Sequence, residues 1–274
     1  MKFQHDFAAG QGGTAAEPPV VHPDRPVPRF RPLKALHHFR ELLKDKEDTE
    51  QVFHIFECLP RKNFRSDAKA FTLSETGRAV RAQEPSLPDL LDDHDRLRAM
   101  PEGSLAHAYC DFMEQEGLTA AGLVAESDKF QQKSYGDLIE WYGYRQRDTH
   151  DLLHVLTGYG RDALGEQCVL AFTYGQSPAL GHLFIAYGGG LNLKQTVKSK
   201  APIFKAIREA QKMGRACPKI TDRSITDLLA RPLDEIRREF GIGTPEYYQQ
   251  SHDIYRSEGI DPYDLLAEGE AKAA

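Results

Sequence analysis

The sequence predicts an all-α fold, a single helical domain preceded by an extended arm rich in proline and glycine. From Leu33 onward, apolar side chains recur at three- and four-residue intervals, beginning with Leu36, Phe39, Leu42 and Leu43. This is the period of an amphipathic helix. Strand signals are scarce, because no hairpin dipeptide lies between two alternating β-branched runs. Proline and glycine separate the apolar stretches, as they do between helices.

The arm comprises residues 1–32, where prolines and glycines are dense and apolar periodicity is weak. Proline at this density breaks helices and cannot donate to a strand ladder. We therefore expect a flexible or extended segment. Val20, Val21, Val27 and Phe30 give it apolar side chains with which to lie against the body.

The body, residues 33–274, is predicted to be a single helical domain. Its punctuation predicts helices at 48–58, 66–83, 87–94, 103–116, 119–126, 135–157, 161–174, 178–187, 202–213, 223–230 and 232–240. The last of these is well marked, because Pro232 suits a first helical turn and Gly241 suits a helix end.

Composition excludes several classes of protein. Of the 274 residues, 40% are hydrophobic and 28% are charged, which fits a core-forming chain rather than a disordered one. The formal net charge of −6 argues against binding of nucleic acid, which needs a basic face. The four cysteines lie far apart with no CxxC pair, which argues against a disulfide scaffold and a thiolate zinc site.

The sequence also carries no sign of membrane insertion or secretion. No apolar run reaches the roughly 18–20 residues needed to cross a bilayer. The N-terminus lacks the basic region and following apolar run of a secretory signal. We therefore expect a reduced, cytosol-facing protein.

The strongest chemical signal is the run RDTHDLLHVLTG. At about 100° per residue, a helix places His150, Asp151 and His154 on one face. The opposite face is apolar and can pack in a helical core. It carries Leu152, Leu153, Val155 and Leu156. Gly158 ends this helix, and Glu166 follows on the next one, which can return its carboxylate to the same face if the two helices are antiparallel.

Two imidazoles and two carboxylates form a donor set that suits Zn²⁺ and also Fe²⁺, Mn²⁺ or Co²⁺. The residues alone do not choose among these ions. The competing interpretation is that both histidines are partly buried core residues, satisfied by Asp148, Asp151 or a backbone carbonyl.

The same residues resemble a known family. H-D-L-L-H, followed after eleven residues by Glu166, is similar to the H-D-x-x-H-x₁₁-E signature of the ubiquinone-biosynthesis family whose yeast founder is the fourth coenzyme Q protein. Further segments resemble the family. They are Arg147-Asp148, where the family has Arg-Glu, Leu164-Gly165-Glu166, Pro-Glu-Gly-Ser-Leu at 101–105, and 233–242, which is close to its C-terminal helix. The similarity is patchy over residues 75–242, and the arm resembles nothing in the family.

The resemblance implies a predominantly helical protein that binds one divalent metal, usually zinc. It implies His150, Asp151, His154 and Glu166 as the ligands, which makes 33–274 a metal-binding domain. It further implies a lyase that removes the ring carboxylate at C1 of a polyprenylated 4-hydroxybenzoate, with oxidative and non-oxidative forms both left open. The implied partners are a polyprenylated quinone precursor or other prenyl lipid and other ubiquinone-biosynthesis proteins. We expect a homo-oligomer, peripherally associated with the inner face of the cell membrane.

Two charged neighbours of the ligands have predicted roles. The helical wheel places Arg147 on the ligand face, one turn before His150. Its guanidinium either binds the substrate carboxylate in bidentate fashion or orients Asp151 through an i,i+4 pair. Asp148 is predicted to support the ligands from behind.

The apolar, glycine-interrupted run 178–191 has two interpretations. It either lines a site for a prenyl tail or forms an ordinary buried helix. His182, a lone histidine in this run, is predicted to be packed rather than to bind metal. The run is followed by cations that would favour anionic lipid: Lys194, Lys198, Lys200 and Lys205.

The alternative function is a non-catalytic scaffold that binds prenyl lipid and organises ubiquinone-biosynthesis enzymes around a structural metal. Four protein ligands with no reserved open position favour this alternative. A gluzincin-like hydrolase is disfavoured, because Asp151 replaces the general-base glutamate of HExxH.

Overall fold

The computed structural model describes residues 17–45, 48–130 and 133–265. These residues form sixteen α-helices, and within them there is no strand, only an isolated bridge between Ser104 and Pro232. The all-α prediction is confirmed. The helices are α1 (Pro32–Lys44), α2 (Thr49–Cys58), α3 (Phe64–Thr72), α4 (Glu75–Gln83), α5 (Leu87–Asp92), α6 (His94–Arg98), α7 (Leu105–Glu116), α8 (Ala120–Lys129), α9 (Leu138–Asp148), α10 (His150–Thr157), α11 (Ala163–Gln176), α12 (Leu180–Thr196), α13 (Ile203–Ala216), α14 (Ile225–Leu229), α15 (Leu233–Phe240) and α16 (Glu246–Ser257).

Helix α11 lies at the centre of the largest hydrophobic core, where it packs against α12 and α13. Glycines allow the backbones of α11 and α13 to approach closely. A Cβ on Gly214 of α13 would collide with the carbonyl of Phe172, and one on Gly175 of α11 would collide with the backbone of α13 near Gln211. Because α11 carries Glu166, this tight contact fixes the carboxylate relative to the rest of the fold.

The described part of the arm is extended and is tied to the start of α9. The backbone nitrogens of Leu138 and Ile139 donate to the carbonyls of Pro19 and Val20, at 3.0 and 3.1 Å. Arg25 forms ion pairs with the buried carboxylates at 137 and 140. Of the apolar arm residues, Val21 packs in the body, whereas Val27 and Phe30 are exposed. The glycine-rich residues 1–16 lie outside the described residues.

Three predicted helices are divided in the structure, two of them where a polar side chain caps a new start. The predicted helix 66–83 becomes α3 and α4, since Ser74 Oγ accepts the backbone N–H of Gly77. The predicted helix 87–94 becomes α5 and α6, where Asp93 caps the backbone N–H of Arg96. The predicted helix 135–157 becomes α9 and α10, with Thr149 between them.

In the C-terminal half, one helix is longer than predicted and another was missed. Helix α12 was expected over 178–187 but continues through Gly188, Gly189 and Gly190 to Thr196. Each glycine is approached by a neighbouring side chain, from Phe39, Gln167 and Ile207 in turn, so tertiary packing overrides the low helix propensity of glycine. Helix α16 was not predicted at all.

Helix α12 is partly buried, and it is not both long and apolar enough to span a membrane. The same holds for every other helix in the described residues. Its buried side includes Ile185, Ala186 and Leu193, whereas Leu180 and Leu191 are exposed.

Candidate metal centre

Helix α10 presents the predicted ligands because its other face is fixed in the core. Leu152 and Leu156 are fully buried. The helix ends at Gly158, whose φ of 75° is the left-handed conformation that glycine adopts without strain. Arg237 of α15 satisfies the free carbonyls at this end, donating to those of Val155 and Leu156 at 2.9 Å. The single turn from α10 to α11 is thereby held in place.

Three of the predicted ligands converge at contact distance. The Nε2 atoms of His150 and His154 lie 3.3 Å apart. Glu166, returning on α11, places Oε2 3.5 Å from Nε2 of His150 and Oε1 3.5 Å from Nε2 of His154. Ligand atoms of His150, Asp151 and His154 all lie within 4.8 Å of one another.

These separations fit a metal ion. Bonds of about 2.0–2.1 Å to a tetrahedral ion would put neighbouring donor atoms about 3.3 Å apart. The two imidazole nitrogens and the Glu166 oxygens are spaced close to this value. The chemistry of the donors, two nitrogens and carboxylate oxygens, suits Zn²⁺ and other first-row divalent ions.

The hydrogen bonding of His154 directs the correct ring nitrogen into the cluster. Its Nδ1 lies 3.0 Å from the carbonyl oxygen of Tyr159. Because a carbonyl only accepts, Nδ1 carries the hydrogen, and in the neutral imidazole Nε2 keeps its lone pair. A backbone carbonyl in this position is a common partner of metal-binding histidines. The same contact is the one that the core-histidine interpretation expects for His154, so it does not separate the two interpretations on its own.

The carboxylates and imidazoles of the cluster shift one another's pKa values. Burial raises the pKa of the Glu166 carboxyl, but the facing imidazoles of His154 and His150 outweigh burial and hold that pKa well below its usual range. Burial lowers the pKa of His154, and the carboxylates of Glu166 and Asp151 more than offset it, so the pKa of His154 is raised. The cluster therefore favours negative oxygen facing positive charge, whether imidazolium or metal.

A second group of buried polar residues supports the turn between the two ligand helices. Asp162 caps α11 by accepting the backbone N–H groups of Leu164 and Gly165. Its other carboxylate oxygen accepts the hydroxyl of Tyr248, and His252 Nε2 lies 3.3 Å from Asp162 Oδ1. The Tyr248 hydroxyl also accepts the backbone N–H of Gly160 at 3.0 Å. Helix α16 thus holds both ends of the turn that joins His154 to Glu166.

Sequence reasoning missed this support because α16 was not predicted. A signal was present, since Tyr248, His252 and Tyr255 recur at four- and three-residue intervals, the period of one helix face. Gly259, just past the end of α16, adopts a φ of 75°, as expected of a glycine beyond a helix end.

Arg147 lies on a different helix from the ligands, which corrects the continuous wheel of the sequence analysis. It is in the last turn of α9, before the break at Thr149. Its Nε donates to Asp148 Oδ1 at 2.7 Å, and its guanidinium carbon lies 4.8 Å from the centre of the Tyr144 ring. Arg147 Nη1 is buried without a hydrogen-bond partner among the described residues. The structure thus pairs Arg147 with Asp148. Its Nε bonds Asp148 and does not orient Asp151.

His182 is packed between helices. Its ring lies 4.5 Å from that of Phe56. Burial, with smaller contributions from His150 and Arg61, lowers its pKa to about 3, so the imidazole is neutral near pH 7. Its Nδ1 has no hydrogen-bond partner in the part of the chain that the structure describes.

The family profile described as "Coenzyme Q (ubiquinone) biosynthesis protein Coq4" matches residues 43–246, which include every residue of the centre. The chain belongs to the Coq4 family. This confirms the resemblance found in the sequence, whereas the ligand assignments remain predictions of that resemblance.

Relatives in the Coq4 family are about one-quarter identical to the chain over the aligned residues. It is 26% identical to the mitochondrial ubiquinone biosynthesis protein COQ4 of Zygosaccharomyces rouxii, over 62% of this chain and 50% of the relative. It is 25% identical to the mitochondrial COQ4 homolog of Mus musculus, over 64% of this chain and 63% of the relative. The chain therefore spans only about half to two thirds of these Coq4 proteins.

The fold is also similar to that of a solved structure. The crystal structure of a protein from Nostoc punctiforme, named for ubiquinone biosynthesis, superposes with a TM-score of 0.55 at 20% identity. The match covers 78% of this chain and 100% of the Nostoc chain. At this identity the likeness concerns the Coq4 fold alone.

Proposed function

We propose that this Coq4-family chain is a metal-dependent protein of ubiquinone biosynthesis that removes the ring carboxylate at C1 of a polyprenylated 4-hydroxybenzoate. The observation that carries the proposal is the convergence of His150, His154 and Glu166 at 3.3–3.5 Å. With Asp151, these residues would hold one divalent ion, for which Zn²⁺ is our first choice.

Exposure at the centre supports an enzyme over a structural metal. The side chains of His150 and Glu166 are 28% and 30% exposed, whereas that of His154 is fully buried. Structural zinc sites are closed, and catalytic sites keep access for a further ligand. The alternative, a non-catalytic prenyl-lipid-binding scaffold, is favoured by the count of four protein ligands, which reserves no open position.

A bound divalent ion would supply Lewis-acid polarisation of a carboxylate or phenolate oxygen. The residues of the chain would bind and orient the ring. Arg147 is the candidate for the substrate carboxylate, because its Nη1 is buried and without a partner among the described residues. A buried guanidinium nitrogen left unpaired is costly, and a carboxylate oxygen would satisfy it. Asp148, which accepts the hydrogen bond of Arg147 Nε, would fix the plane of the Arg147 guanidinium.

The remaining partners follow from the pathway. A polyprenylated quinone precursor is apolar along its tail, so the chain would work peripherally at a membrane surface with other ubiquinone-biosynthesis proteins. The names of the relatives include the word mitochondrial. For this chain we propose a cytoplasmic location at the inner face of the cell membrane.

Native mass spectrometry of the purified protein tests the proposal. We expect one divalent metal per chain and a copurified prenylated phenolic acid, because the reaction needs both at the same centre. Metal accompanied by generic phospholipid alone would favour the scaffold. Absence of metal after purification without chelator, with no uptake on adding Zn²⁺ or Fe²⁺, would contradict both functions.

A further inference from the structure

The surface of α13 carries a row of positive side chains that the proposed function does not use. Four cations follow one another at intervals of three, four and three residues and therefore lie on one face of the helix. They are Lys205, Arg208, Lys212 and Arg215. All four are exposed, and the row spans about 15 Å at the rise of an α-helix.

This row lines one wall of a cavity of about 540 Å³. Helix α12 contributes the opposite side through Tyr187, whose ring stacks over that of Phe204 with centroids 6.4 Å apart. The Tyr187 hydroxyl donates to Gln211 at 2.9 Å, which fixes the floor between the two helices. The cavity thus combines an aromatic floor with exposed cationic side chains.

The positive charge of the row is not neutralised by the protein. No ion pair joins any of the four side chains to a carboxylate within the described residues. The one acidic residue among them in sequence, Glu209, accepts the backbone N–H of Tyr247 at 3.0 Å. Lys205 lies over the ring of Tyr247 instead, 5.3 Å from its centre. Four uncompensated cations in a chain of net charge −6 repel one another.

We propose that this cavity binds the phosphate or diphosphate group of a ligand. A phosphate carries more than one negative charge and several acceptor oxygens, which match paired arginine and lysine donors. A single carboxylate would leave most of the row unneutralised. The exposed side chain of Phe204, which lines the cavity, gives an apolar edge, so the phosphate can belong either to a free phosphate ester or to a lipid headgroup.

The double variant Arg208→Gln, Lys212→Gln tests the site in the full chain. The matched control is Lys69→Gln, Arg238→Gln, which removes one lysine and one arginine that are also exposed but lie on α3 and α15. Calorimetric titration with inorganic diphosphate measures the free ligand. Sedimentation with phosphatidylcholine vesicles, with and without phosphatidylglycerol, measures the headgroup.

We expect the wild-type protein and the control to bind and the double variant to bind about 30-fold more weakly, since each cation contributes roughly fivefold. Binding of diphosphate without vesicle binding identifies a free phosphate ester, and binding of anionic vesicles alone identifies a headgroup. The proposal is overturned if neither probe binds the wild-type protein. It is also overturned if the double variant equals the wild-type protein, or if the control loses as much as the double variant.

Discussion

The candidate metal centre and the cationic cavity on α13 differ in how their charged side chains are arranged. At the centre, carboxylate oxygens face imidazole nitrogens at 3.5 Å, and His154 is fully buried. In the cavity, four charges of one sign stand exposed with no carboxylate partner in the described part of the chain. The first arrangement offers lone pairs to a cation, and the second offers positive charge to an anion.

The two regions also differ in how firmly the surrounding residues hold them. The turn between α10 and α11 is held by Arg237, Asp162 and Tyr248, which bond its backbone directly. The cationic side chains of α13 have long, exposed stems, and no carboxylate pairs with them in the described residues. Substitutions near the centre should therefore act through geometry, and those in the cavity through net charge. The following predictions test that difference, from the largest expected effect to the smallest.

Loss of His154 should give the largest effect. We expect His154→Ala to lower metal affinity by more than about 100-fold, because even the partners of a metal ligand are worth about 10–100-fold. Metal analysis of purified protein measures it, with circular dichroism to show that the chain folds. The control is His94→Ala, which removes a histidine paired with Glu114 outside the cluster. Wild-type metal content in His154→Ala would show that the metal does not bind at this cluster.

Arg147→Lys should reduce decarboxylation while leaving metal content unchanged. An ammonium cannot reproduce the planar guanidinium fork, and a lost charge-assisted hydrogen bond costs about 1.5–3 kcal/mol, which is roughly 10–150-fold in rate. Activity and metal content are measured on the same preparation. If both fall together, Arg147 acts by orienting the ligands through Asp148. Unchanged activity rules out both roles.

Tyr248→Phe should weaken metal binding by about tenfold, at the lower end of the effect of a ligand's partners. The change removes the hydroxyl that holds Gly160 and Asp162, so the turn between the ligand helices loosens. Tyr255→Phe is the matched control, because the Tyr255 hydroxyl is buried on the same helix without a hydrogen-bond partner in the described residues. Metal titration of both variants decides the matter. Equal affinities would mean that α16 does not position the centre.

The sequence was most informative where a short run of residues determines both structure and chemistry. The spacing of His150, Asp151 and His154 within one helix, and the glycine that ends it, were enough to place three donor groups together. Glu166 could be added because its helix follows after a single turn. Such local relations follow from helix geometry alone.

What the sequence could not give depends on contacts between distant segments. The break at Thr149 places Arg147 on a different helix from the ligands. No glycine or proline marks this break, and Thr149 keeps a helical φ of −87° and ψ of 0°. The glycines of α12 remain helical only because side chains from α1, α11 and α13 approach them. Of the cationic row, only Lys205 was singled out from the sequence, and the cavity exists because Tyr187 of α12 lies beside the row.

The smallest expected effect, a difference in salt response, separates the two regions without any substitution. Raising the ionic strength from about 0.1 to 1 M shortens the Debye length from about 10 to 3 Å. The exposed cations of α13 should lose several-fold in affinity for diphosphate or anionic vesicles, because their field is screened by solvent. The centre should keep its metal affinity within about twofold in a non-coordinating salt, because its charges lie at contact distance and are little screened. Parallel titrations of metal and diphosphate across this range provide the measurement. An equal loss at both sites would mean that the centre is as open to solvent as the cavity, and the contrast between them would fail.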